Sequence, residues 1–107
     1  MASHARNEFD VPAAPAAVAD AVQRVVHDQG HRPVGQSPDG RQLSFVTKKT
    51  ALNWELDTTV LITPTPQGSH VTIDLDVQQG RPKALLDGRK NKKAAQRLAD
   101  QIQAAIA

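Results

Sequence analysis

The chain alternates polar and apolar residues from its first structured stretch. Glu8-Phe9-Asp10-Val11 turns Phe9 and Val11 to one side and is stopped by Pro12, which predicts a short first strand. After Pro-Ala-Ala-Pro the period changes. Val18, Val22, Val25 and Val26 fall at helical spacing and form one apolar stripe, with Asp20, Arg24 and Asp28 on the wet side. Pro15 suits a first helical turn and Gly30 the left-handed residue that ends a helix, so the spacing predicts a helix from about Pro15 to Gln29. His31 to Gln36 carries a weaker strand pattern. Ser37-Pro38-Asp39-Gly40 is a turn, because proline presets φ at its second position and glycine tolerates positive φ. The returning strand has Leu43, Phe45 and Thr47 on one face and Ser44, Val46 and Lys48 on the other. The strongest alternation runs from Leu52 to Thr63, with Leu52, Trp54, Leu56, Thr58, Val60 and Ile62 inward. Pro64 to Ser69 reads as a turn, and Val71, Ile73, Leu75 and Val77 alternate with Thr72, Asp74, Asp76 and Gln78 in a last strand. Beyond Gln79-Gly80-Arg81-Pro82, apolar residues from Leu85 to Ile106 recur at helical spacing. Gly88 costs roughly 1 kcal/mol relative to alanine inside a helix, so a break is expected there and a main helix from about Arg89.

Strand, helix, four strands, helix is an α+β order, β-α-β4-α. It predicts one antiparallel sheet with one wet face and one face covered by both the N-terminal and the long C-terminal helix. Residues 1–7 are expected to be a flexible N-terminus and 8–107 a single domain. Over residues 8–107 this order resembles the topology of the TATA-binding-protein repeat and of the helix-grip proteins, the birch-pollen-allergen and START-like group. The helix-grip resemblance implies an apolar ligand held between sheet and last helix. This chain is shorter than full-size members and closing its core uses most of its apolar residues, so only a small cleft near Phe45, Trp54 and Leu98 is expected.

Composition narrows function by exclusion. Among 107 residues Phe9, Phe45 and Trp54 are the only aromatics, too few for a base- or sugar-stacking platform. There is no cysteine, which removes disulfides, thiolate metal ligands and a thiol nucleophile. The first residues lack the apolar run of a signal peptide, and no stretch approaches the roughly 18 apolar residues of a membrane span; a cytoplasmic protein is the expectation.

The distinctive charge feature is Arg81, Lys83, Arg89, Lys90, Lys92, Lys93 and Arg97, with only Asp87 against them between residues 81 and 97. That segment carries +6 in a chain of formal net charge +2, leaving the other 90 residues at −4 by difference. Such a cluster either docks an anionic partner or forms a solvated helix face with its stems draped over the core edge. The opposite sheet face would show Glu55, Asp57, Asp74 and Asp76, which repels phosphate and argues against sequence-specific DNA recognition through the sheet. These acids are either a solvated face, a patch for a basic partner or, less naturally without a ligand loop, a divalent-cation site. His4, His27, His31 and His70 are scattered along the chain and read as surface or loop residues, and no nucleophile-elbow or phosphate-loop motif occurs. No cofactor or resident metal is expected. The expectation is therefore a non-enzymatic binding module of reduced helix-grip type that engages an anionic or amphipathic ligand through the last helix and the sheet. The rival is a protein-interaction or small oligomerising domain.

Overall fold

The structure, a computed structural model, describes residues 4–49, 55–77 and 87–106. Its elements are β1 (Ala5–Val11), α1 (Pro15–Asp28), β2 (Arg32–Gln36), β3 (Gln42–Val46), β4 (Leu56–Thr65), β5 (Gly68–Val77) and α2 (Asp87–Ile106). The five strands form one antiparallel sheet in the order β1-β5-β4-β3-β2, so the first strand lies beside the last and the β2–β5 meander runs outward from it. This is the expected α+β architecture.

Alternation decides which face is covered. Leu56, Thr58, Val60 and Ile62 on β4 and Val71, Ile73, Leu75 and Val77 on β5 are buried. So are Leu43 and Phe45 on β3 and Ala5 and Val11 on β1. They pack against the valine stripe of α1 and against Ala95, Leu98, Ala99 and Ile102 of α2. Both helices thus lie on the same side of the sheet, α2 along β1 and β5 and α1 against α2 and β4. Ile62, Ile73, Leu75 and Ile102 are essentially inaccessible to water, and each stabilises the fold by roughly 1.5–3 kcal/mol relative to an exposed side chain. Thr58, the polar member of the inward row, donates its hydroxyl to the Leu56 carbonyl at 3.2 Å.

Element ends differ from the sequence expectation in informative ways. β1 begins at Ala5 rather than Glu8, so residues 5–7 belong to the sheet and not to a flexible arm. The cause is β5, which is long enough to pair Ala5, Arg6 and Asn7 with Leu75, Asp74 and Ile73. β4 continues through Pro64 to Thr65, where a turn had been expected. Thr65 and Gly68 close a two-residue hairpin, which turns the Pro64 nitrogen towards the β3 side. β3 pairs with β4 only as far as Gln42 and Leu61, so no acceptor awaits the missing N–H. Leu52 to Trp54, the expected start of this strand, lie outside the described residues.

Candidate functional site

The end of α1 is shaped by Gly30. At φ +73° it takes the left-handed conformation that ends the helix, and the N–H groups of Gly30 and His31 turn back to the carbonyls of His27 (3.2 Å) and Val26 (2.9 Å). This paired cap delivers His31 to a place where three other segments converge. Thr47 N–H donates to Leu56 O at 3.0 Å and Thr47 Oγ1 accepts from Leu56 N–H at 2.9 Å, which extends the β3–β4 ladder and leaves Lys48 at its rim. The fourth wall is α2, whose Ala94, Arg97, Leu98 and Gln101 recur on one flank at helical spacing. Together with Gln29 they enclose a cleft of about 270 Å³.

The cleft is asymmetric. Leu56 and Leu98, both buried, form its floor, while Lys48 and Arg97 stand exposed at the rim on two different elements. Neither cation has an ion-pair partner and no carboxylate lines the cleft among the described residues. His31 is half-buried, its ring 5.7 Å from that of Phe45 and nearly parallel to it at 15°. The Lys48 backbone N–H donates to His31 Nδ1 at 2.9 Å, which assigns the proton to Nε2. Burial, and secondarily the Lys48 charge, hold this imidazole below its ordinary pKa, so it offers the cleft a neutral N–H donor.

The residues picked out by sequence are distributed around this point. Arg89, Lys90, Lys92, Lys93 and Arg97 all lie exposed on α2, and of these Arg97 alone lines the cleft. Arg81, Lys83 and Trp54 lie outside the described residues. Leu98 is on the cleft floor, whereas Phe45 lies beyond His31 in a second cleft between α1 and β2–β3. Sequence reasoning passed over His31 and Lys48. The Gly30 cap, one residue before His31, was the available local signal; Lys48 carried none, because the alternation of β3 puts it on the face opposite Thr47.

On the open sheet face, Asp57 stands opposite Asp76 and Asp74 opposite Thr59. Arg6 Nε donates to Asp74 at 2.7 Å and His4 Nε2 lies 2.9 Å from the same carboxylate oxygen. Burial pushes the Asp74 carboxyl up, but the hydrogen bonds from Arg6 and His4 outweigh it and leave the pKa lowered. His70 stands between Glu8 (3.1 Å from Nε2) and Asp10 (2.7 Å from Nδ1), and those two carboxylates raise its pKa. These are ladder contacts of β1 on β5. Among the described residues no group of three or more His, Asp or Glu side chains converges to hold a metal ion, and no helix is long and apolar enough to cross a membrane.

No family model matches the sequence, and no curated protein matches it either. Solved structures match its fold. Protein MLL2253 from Mesorhizobium loti is 18% identical with a TM-score of 0.63, over 96% of this chain and 93% of that one. DynU16, a protein of the dynemicin biosynthetic locus, is 17% identical with a TM-score of 0.70 over 95% of this chain, which spans 46% of DynU16. Ara h 8.0201 is 12% identical with a TM-score of 0.56 over 96% of both chains. At such identities the likeness is one of fold, and that fold is helix-grip-like, with the C-terminal helix laid on the sheet.

Proposed function

We propose that this protein is a non-enzymatic ligand-binding domain of reduced helix-grip type that takes an amphipathic organic anion in the cleft beneath α2. The observation that carries this reading is the pairing of two exposed cations, Lys48 and Arg97, above a floor of Leu56 and Leu98 with no carboxylate in the described lining. An anionic head gains charge-assisted hydrogen bonds from the rim and from His31 Nε2–H, while apolar atoms behind it leave water against the leucines. The commitment of the polar groups supports binding over catalysis. Thr47 Oγ1 and His31 Nδ1 each already accept a backbone N–H, and neither a carboxylate nor a thiol is at hand among the described lining residues to act as base or nucleophile. The helix-grip-like fold, whose resemblance implies a ligand between the sheet and the last helix, supports a ligand in this general position. The exposed cations of α2 support an anion over a cation.

The test is a residue-resolved amide NMR titration with decanoate and, as a control, a decyl-trimethylammonium salt, at low and physiological ionic strength. Decanoate is expected to shift His31, Lys48, Arg97 and Leu98 and to bind about tenfold more weakly to the Lys48→Ala/Arg97→Ala double variant. Equal binding of the cationic amphiphile, or an unchanged decanoate affinity in the double variant, would refute the reading. Silence at the cleft with both probes would leave an outer-surface protein partner as the function to pursue.

A further inference from the structure

His31 belongs to two clefts at once. One is the cationic cleft; the other, about 510 Å³, lies between α1 and the β2–β3 hairpin. The second exists because β2 is left uncovered: α1 packs chiefly on α2 and β4, and every residue of β2 is exposed. A bulge between Pro33 and Gly35 pushes Val34 out of the ladder, and that valine is 61% exposed, the most exposed large apolar side chain among the described residues. The groove floor is apolar, made by Val26, Leu43 and Phe45, and no Lys, Arg, Asp or Glu lines it among the described residues. Two of its lining amides pair with each other, Gln23 Nε2 donating to Gln36 Oε1 at 3.1 Å.

The two clefts therefore differ in kind, one cationic and one neutral with an apolar floor, and they meet at one ring. That ring is held flat on Phe45 and fixed at its edge by the Lys48 backbone N–H, the same residue whose side chain stands on the cationic rim. We propose that a single ligand spans both clefts: a long-chain carboxylate whose head lies between Lys48 and Arg97 and whose hydrocarbon tail crosses the His31 ring into the groove between α1 and β2–β3. The inference rests on the cleft reading above for its head and adds the course, length and neutrality of the tail. An unbranched, uncharged tail fits because the groove floor supplies apolar contact and no Lys, Arg, Asp or Glu stands among its described lining residues, and Val34 becomes a lid residue over that tail. A short acid fills only the cationic side.

The experiment is a series of straight-chain carboxylates from butanoate to dodecanoate, titrated into the full chain by amide NMR and calorimetry, with Val34→Asn as the variant. Val34 is exposed on an edge strand, so its replacement leaves the core intact. Affinity is expected to rise about threefold to fourfold per added methylene once the chain is long enough to pass His31. Over the same range, shifts should spread from Lys48 and Arg97 to Val34 and Gly35. Val34→Asn should weaken the long acids about threefold to tenfold and leave butanoate unaffected. If affinity is flat with chain length, or rises in both proteins alike with shifts confined to Leu56 and Leu98, the tail does not enter the groove and the cleft reading survives alone. If no member of the series binds, both fall together.

Discussion

His31 and His70 sit in environments that pull their titrations in opposite directions. For His70 the two flanking carboxylates raise the pKa above the ordinary 6.5, so its contribution to stability is complete below that value and is lost as pH rises through the higher folded pKa. For His31, burial first and the Lys48 charge second lower it, so its contribution is present above 6.5 and is lost as pH falls through the lower folded pKa. Because the two losses fall on opposite sides of pH 6.5, a global unfolding curve shows only a shallow maximum there, and the discriminating measurement is an NMR titration of each imidazole. His70 is expected to titrate at the higher pH, and a reversed order would show that the cross-strand and cap geometries described are not those in solution. Neither environment was legible in the linear chain. Glu8 and Asp10 lie some sixty positions from His70, and only the pairing of β1 with β5 brings them alongside.

At the scale of elements, the β4–β5 hairpin is locked to the β1–α1 junction by two adjacent residues. Ser69, fully buried, donates its hydroxyl to the Ala13 carbonyl at 2.6 Å. A Cβ at Gly68 would stand 2.2 Å from the Val11 carbonyl oxygen and 2.7 Å from the Ala13 nitrogen, both backbone atoms with no freedom to yield. Gly68→Ala must therefore displace the junction, in a backbone (φ +153°) that side chains rarely adopt, at a cost of about 3 kcal/mol or more. A urea melt should show a lower midpoint with little change in slope; a loss under 1 kcal/mol would mean that the two segments do not approach so closely. The elements themselves were readable, because valines at helical spacing and the Leu56–Ile62 alternation each bury one face. Their ends were not. Ala5 extends β1 and Pro64 remains in β4 for reasons that lie in the partner strands.

The whole molecule is electrically two-faced. Carboxylates of β1, β4 and β5 stand on the open sheet face, and Arg89, Lys90, Lys92 and Lys93 stand on the far side, exposed along α2. None of these four cations is ion-paired among the described residues. Lys90 and Lys93 precede Arg97 by two turns and one turn of α2, so they add to the field at the cleft mouth without lining it. A field of this kind acts on encounter more than on the bound state. Replacing Lys90 and Lys93 by glutamine is expected to slow association of decanoate about threefold at low salt, with the difference shrinking at physiological ionic strength as screening sets in. Stopped-flow measurement at two salt concentrations checks this, and a change confined to dissociation would count against steering.

What the sequence by itself determined is whatever a local period can encode. It determined two helices, a meander of alternating strands, the inward row that makes the core, and the acidic and basic faces, since a side chain's face follows from its position in a helix or strand. Tertiary structure alone decided that β1 closes beside β5 and that β2 is left uncovered by α1. It also decided that His31, Lys48 and Arg97, each unremarkable in its own segment, meet around one cleft. Those outcomes depend on register, helix placement and close backbone approach between segments far apart in the chain, and no periodicity along one segment carries that information.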